Sequence, residues 1–344
     1  MDKKKKIAYI LFSYPKYSET FIRDEINELR KYHDVIVFSI KTPEIKESNV
    51  IYGKKSKNIF KILKWTLYLL FRSWRDTKYI PIALYFSNKI KNNFDHIHTY
   101  FAASTATVSY IVSKETNIPF SFSAHSRDIF VKRESKKLMS EKIKHAKFVL
   151  VPSKWHKKYM IENYGFAEKY YIIPNSIYPN KFKPMKIKKS DQIIFIGRDV
   201  EKKGLKYLKE ALELLGNKYK LLIISGGTPE KELIKELNKS KIFVLPSIIA
   251  KDNDSDGLAT TLMEAMACEL PVITTNIRAV PELVSGCGLL VEQKNPQQIA
   301  DAIEKLMKNP NLCRKFGRNG RKRIIKYFDV IKNSKKLAKL IELK

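Results

Sequence analysis

The sequence predicts an α/β fold built on open parallel sheets. Three observations predict it. Residues 241–284, KIFVLPSIIAKDNDSDGLATTLMEAMACELPVITTNIRAVPELV, read as strand, loop, helix, strand and loop. Short apolar runs ended by turn residues recur along the chain. The 344 residues make room for two domains of ordinary size.

Taken in order, residues 7–12 form a buried apolar run, hence a strand. The start MDKKKKIAYILFSYP is charged, but its apolar run is short and lacks a small-residue cleavage site. It reads as a first strand, not a signal peptide. A helix is expected over 21–31, with Ser18 as N-cap and Glu19 suited to the helix dipole. Residues 35–40 are the next strand.

Residues 57–75 are the most amphipathic stretch. Lys57, Lys61, Lys64, Tyr68, Arg72 and Arg75 fall on one helical stripe, and the rest is apolar and Trp-containing. Such a helix suits a membrane interface, and equally a helix packed on its domain with Lys stems exposed.

Residues 95–101 read as a strand running into a loop. His96 and His98 have metal-like spacing but no third ligand, so a structural role is preferred. Residues 120–123 form a strand that ends in Ala124-His125. Strand-then-turn units follow at 148–151 and 171–174. The polar, Pro-containing stretch 176–191 is the expected interdomain linker.

The second half opens with a strand at 192–196 and then GRDVEKKG. Two cations at a strand end, Arg198 and Lys203, can neutralise a diphosphate without a metal. The plainer reading has Lys202 and Lys203 open a helix, a poor start for the dipole. Residues 221–224 form a strand before Gly226-Gly227, which allow close approach by a ribose or base. Residues 242–245 are a strand ended by Pro246-Ser247. A helix over 258–268 is stopped by Pro271, and 272–275 is β-branched strand. A short strand at 288–291 and helices over 296–308 and about 312–340 close the chain.

The loop DNDSDG also fits the first half of an EF-hand, but the position-12 ligand falls on Met263. A solvated acidic loop is expected there, and no metal. The three cysteines are scattered, which suggests reduced thiols in a cytosolic compartment. No apolar run is long enough to span a membrane. The net charge of +31 implies an anionic partner, or a Lys-rich surface. Nucleic acid is not expected, because no aromatic-basic strand motif stands out.

Asp256, seven residues, then Glu264-Ala265, followed by EAMACELPVIT and VPELV, resembles the signature of the family-4 retaining glycosyltransferases. Asp256 stands where most members have Glu, and Glu269 where Gly is usual. PKYSETFIRDEINELR, the Ala124-His125 strand end with Asp128, PNSIYPNKFKP and Gly197-Arg198…Lys203-Gly204 extend the likeness. The first two resemble an exopolysaccharide or colanic-acid subgroup, and the likeness to the family as a whole runs from Tyr9 to about Tyr327. The resemblance implies two facing doubly wound, Rossmann-like domains of GT-B type, with the site in the cleft. It implies an acceptor-side domain over 1–176, a linker over 177–190, a nucleotide-sugar-binding domain over 191–320, and a final helix, 321–344, returning to the first domain.

The resemblance further implies a retaining transfer of sugar from a nucleotide-sugar to a glycan or lipid-linked glycan. No cofactor is implied beyond that donor. Arg198 and Lys203 would stabilise the departing diphosphate. Amides of Gly257, Leu258, Ala259 and Thr260 would add donors, with Gly226 beside the nucleotide. Glu264 would accept ribose hydroxyls and Asp256 would contact sugar hydroxyls. His125 would hold the sugar, with Asp128 orienting its ring. A cytoplasmic protein is expected, with attachment to an anionic membrane surface as the further expectation. A nucleotide-sugar 2-epimerase on the same fold and a non-enzymatic anion- or membrane-binding protein are the rival readings.

The resemblance also exposes a gap. Members usually run a helix, a third strand and another helix after the Gly226-Gly227 loop. Here fourteen residues, TPEKELIKELNKSK, separate Gly227 from Ile242. The second sheet should therefore lack one edge strand unit. Right-handed crossover then puts the helix near 230–238 on the face opposite the 205–215 helix.

Overall fold

The computed structural model describes residues 4–16, 19–43, 46–131 and 134–343. It divides into two compact units, residues 1–173 with 334–344, and residues 174–333.

The first unit holds a parallel sheet of seven strands. These are β1 (Lys6–Ser13), β2 (Asp34–Lys41), β3 (Val50–Tyr52), β4 (His96–Tyr100), β5 (Phe120–Ser123), β6 (Phe148–Val151) and β7 (Tyr170–Ile172). Their order is β3-β2-β1-β4-β5-β6-β7. This is the doubly wound order, with the chain reversing direction beside β1. Alternation along β1 feeds two cores. Ala8 and Ile10 join one apolar cluster, and Ile7, Tyr9 and Leu11 join the other. Both faces of the strand are covered, so its sequence is continuously apolar rather than alternating.

The second unit holds β8 (Gln192–Ile196), β9 (Lys220–Ile224), β10 (Ile242–Leu245), β11 (Val272–Thr275) and β12 (Gly288–Val291). The order is β12-β11-β10-β8-β9. The third strand is missing, as the fourteen-residue gap requires. A single helix, Glu230–Lys239, links β9 to β10, which makes β9 an edge strand. The Leu205–Leu214 helix packs against the Pro296–Met307 helix. By contrast, Asn238 of the Glu230–Lys239 helix reaches the carbonyl of Lys183 and the amide of Met185. Gln192 of β8 points to that same side, bonding Ser240 and Glu236. The two helices thus pack against different neighbours.

Several boundaries differ from expectation. The tail is two helices, Pro310–Tyr327 and Val330–Glu342. The break comes where Asp329 pairs its backbone with Ile177 and its carboxylate accepts from the amide of Ile331. The return to the first unit begins at Ser334, with Leu337, Ala338 and Ile341 in that unit's core. Residues 177–190 belong to the second unit. Lys189 is fastened to the carbonyl of Ser240 at 2.9 Å. The expected 57–75 helix is shorter, Ile59–Leu69, followed by a turn and a 3-10 segment, Trp74–Tyr79. Ser18 lies outside the described residues. Helices at Ile80–Ile90, Ser104–Thr116, Lys136–His145 and Lys154–Tyr164 were not anticipated.

Candidate functional site

In the second unit, β8 leads to β9 on one side and the chain then crosses to β10 on the other. The carboxyl ends of β8 and β10 therefore bound a topological switch point, where open parallel sheets receive ligands. Both expected motifs arrive there.

After β8 the chain runs through a 3-10 turn, Glu201–Lys203, into Gly204. Gly204 has φ +67°, and a Cβ there would sit 1.9 Å from the carbonyl oxygen of Pro246. Only glycine allows this approach. The amide of Ile248 donates to the carbonyl of Lys202 at 2.9 Å, closing the two strand-end loops on each other. The lysines thus occupy a turn that docks on β10, and do not open the helix.

This docking sets the charges. Lys203 Nζ lies 2.9 Å from Asp256 Oδ2, and its aliphatic stem passes over Gly197. Lys202 Nζ lies 3.2 Å from Asp254 Oδ2 and 3.8 Å from Asp256 Oδ1. Ser247 Oγ donates to Asp256 Oδ2 at 2.8 Å. Burial pushes the Asp256 carboxyl up, but Lys203, Lys202 and Ser247 outweigh it and hold it below the usual carboxylate range. Asp256 is ionised at neutral pH.

The acidic loop is not solvated as expected. Asp254, Ser255 and Asp256 are buried, because the two lysines draw the carboxylates inward. Arg278 donates to Ser255 Oγ at 2.6 Å and to Asn253 Oδ1 at 2.7 Å. Among the described residues no cluster of His, Cys, Asp and Glu could hold a metal.

The helix after the loop starts at Thr260 rather than 258, so Leu258 is a buried loop residue. Its N-cap is Ala259, and no side chain caps it. The amides near Gly257, Leu258, Ala259 and Thr260 thus stand at a helix N-terminus without a side-chain acceptor. Glu264 lies on this helix and is buried. Arg198 is exposed at the end of β8, and no ion pair holds it among the described residues. Gly226, at φ +133°, follows the edge strand β9.

His125 lies in the first unit. Its ring stacks on Tyr100 at 4.6 Å with a 4° interplanar angle, and Phe101 meets its edge. Both ring nitrogens are buried without a hydrogen-bond partner among the described residues. Burial lowers the imidazole to about 3, so it is neutral. Asp128 does not orient the ring. Its carboxylate accepts from the amides of Ala102, His125 and Ser126, and so shapes the turn carrying the ring.

Sequence reasoning missed what lies behind Tyr100. Glu25 is buried, accepts from Tyr9 Oη at 2.6 Å and bonds Tyr100. Burial, partly offset by those two bonds, raises its carboxyl to about 7. His96 Nε2 and His98 Nδ1 both meet Ser121 Oγ at 2.7 Å, inside the sheet. Their role is structural. Ser247, Lys202 and Arg278 were also missed; the signal for Ser247 was a polar residue directly after the Pro that ends β10.

Comparison with known proteins fits this geometry. The model for Glycosyltransferase Family 4 matches residues 18–181, and that for glycosyl transferases group 1 matches 222–323. The chain belongs to this glycosyltransferase family. CapM, a capsular polysaccharide biosynthesis glycosyltransferase of Staphylococcus aureus, is 29% identical over 48% of this chain and 46% of its own. AmsK, an amylovoran biosynthesis glycosyltransferase of Erwinia amylovora, is 30% identical over 41% of this chain and 42% of its own. The chain thus aligns with less than half the length of either relative. Anabaena Alr3699/HepE, solved with UDP and glucose, superposes with TM-score 0.77 at 15% identity, covering 98% of this chain and 99% of its own. The fold is of the GT-B type, with two Rossmann-like domains.

Proposed function

We propose that the protein is a retaining glycosyltransferase of polysaccharide biosynthesis. It moves a sugar from a nucleotide-sugar donor to a glycan or lipid-linked glycan. The observation that carries this is the Lys203–Asp256 pair at the β8–β10 switch point, beside an uncapped helix start.

In this reading Arg198 and Lys203 take the charge that grows on the departing diphosphate. The amides of Gly257, Leu258, Ala259 and Thr260 add donors to phosphate or sugar oxygens. Glu264 accepts ribose hydroxyls, and Gly226 lets the nucleotide approach the backbone. Asp256, released from Lys203 when phosphate arrives, meets sugar hydroxyls. His125, neutral and with neither ring nitrogen hydrogen-bonded among the described residues, holds the sugar. No nucleophile is assigned, and no metal or other cofactor is required. The protein works in the cytoplasm, at an anionic membrane surface on the inner face of the plasma membrane, and not on nucleic acid.

Donor hydrolysis, screened over several nucleotide-sugars with UDP-sugars first, tests the reaction. Nucleotide release is expected. Epimer formation without release would replace this reading by a 2-epimerase. Glu264→Gln should keep the fold and weaken donor binding, since a hydrogen bond to a charged group is worth roughly 1.5 to 3 kcal/mol. Unaltered affinity and rate would remove Glu264 from the site.

A further inference from the structure

A cluster of exposed large apolar side chains, residues 59–74, lies far in sequence from the candidate site. In the Ile59–Leu69 helix only Trp65 and Leu69 are buried. Phe60, Leu63 and Leu67 face solvent at helical spacing, and Leu70 and Phe71 extend the patch into the following turn. Phe60 and Phe71 are each 89% exposed and Trp74 67%. Soluble surfaces rarely show so many large apolar side chains together.

The helix is fastened with this face outward. Glu115, half-buried on the neighbouring helix, accepts from Trp65 Nε1 at 2.9 Å and pairs with Lys61 and, at 3.5 Å, with Lys64. Tyr68 bonds Glu141, and Arg72 lies over the Tyr68 ring. The inner face is thus held by polar contacts and two apolar anchors. The outer face has no partner among the described residues.

Charge selects the occupant. No Asp or Glu occurs from Gly53 to Arg75, while Lys54, Lys55, Lys57, Lys61, Lys64, Arg72 and Arg75 do. Lys54, Lys55 and Lys57 are exposed before the helix, and Arg75 after it lies beside the Trp74 ring. A second copy would bring this cationic rim against itself, on a chain of net charge +31. A shallow recess of about 310 Å³ at the end of the patch is lined by Arg72, Arg75, Ser73 and Ser135, with Glu134 also on its wall.

We propose that the Ile59–Leu69 helix and the turn 70–75 form an insertion surface for an anionic lipid bilayer. Phe60, Leu63, Leu67, Leu70, Phe71 and Trp74 enter the acyl boundary, and the flanking lysines and arginines meet the headgroup phosphates. The inference names the surface behind the membrane part of the proposed function. It can fail while the sugar transfer stands, and the converse, because its test needs no turnover.

The full chain is sedimented with vesicles of phosphatidylcholine alone, and with phosphatidylglycerol added. Binding to the anionic vesicles is expected, weakened several-fold by high salt but not abolished. Phe60→Ser with Phe71→Ser should lower the partition about tenfold or more, with an unchanged circular dichroism spectrum. Lys54→Gln, Lys55→Gln and Lys57→Gln together should reduce the preference for phosphatidylglycerol. Equal binding of the double serine variant, equal binding to both vesicles, or no binding by the wild type would overturn the proposal. So would a concentration-dependent dimer that the double variant loses, which would give the surface to a second copy. An acidic protein that binds the patch while vesicles do not would have the same force.

Discussion

Lys203 and Asp256 form a 2.9 Å ion pair that joins the loops after β8 and β10. Both side chains are mostly shielded from water, so neither charge can be lost cheaply. Asp256→Asn should lower the stability of the second unit by about 3 kcal/mol at pH 7, the order expected for one partner of a buried pair. Because the native carboxyl titrates below its ordinary value, its contribution is present at neutral pH. It disappears as the pH falls below the usual carboxylate range. Thermal unfolding of wild type and variant should therefore differ at pH 7 and converge in acid.

Arg198 offers the cleaner test of phosphate stabilisation, since it is exposed and its removal disturbs no ion pair among the described residues. Arg198→Ala should leave the melting temperature unchanged. Turnover should fall by about 10²- to 10³-fold with a much smaller effect on donor binding, because the charge on the diphosphate grows in the transition state. A normal rate would assign the diphosphate elsewhere.

Glu25 makes the opposite pH signature to Asp256. Its folded value of about 7 lies above its unfolded value near 4.5, so the folded chain holds the extra proton. Its stabilising effect is present below the unfolded value and is lost as the pH rises through the folded one. The loss is on the order of 3 kcal/mol. Glu25→Gln should flatten the stability profile between about pH 4.5 and about pH 7, the unfolded and folded values. An unchanged slope would place the proton on another group.

Glu269 stands where relatives are expected to carry glycine, and its φ is +58°. A side chain in the left-handed region costs roughly 1 kcal/mol, partly offset by the greater freedom of an unfolded glycine. Glu269→Gly should raise the melting temperature slightly. Its neighbour is less forgiving. A Cβ on Gly317 would lie 2.2 Å from the carbonyl oxygen of Glu269, so Gly317→Ala should destabilise strongly in the same measurement.

Every strand of the second sheet was legible, because each is a short apolar or β-branched run closed by a turn residue or a charge. The gap after Gly227, set against the strand order that the resemblance implies, even showed that one edge strand is absent, since chain length leaves no room for it. The Ser104–Thr116 helix was not legible. It is almost wholly buried and rich in Ser, Thr and Val, so neither periodicity nor propensity marks it. The Glu25–Tyr100 bond and the Tyr100–His125 stack join residues from different elements, and no local pattern encodes such a contact. The 57–75 stretch gave its amphipathic character but not which face turns outward. That depends on Glu115, a residue on another helix.

The missing strand also bears on how the protein is made. β8 and β9 can pair as soon as Ile224 leaves the ribosome, with no third strand to await. One ten-residue helix then delivers β10 to the other side of β8. The loop that must close is short, and closure entropy rises with length, so assembly of this half should begin early in synthesis. Until β10 arrives, the nascent β8–β9 ribbon shows strand edges on both sides. Afterwards β9 keeps one of them, begun by Lys220, a charge of the kind that discourages edge-to-edge pairing between crowded chains.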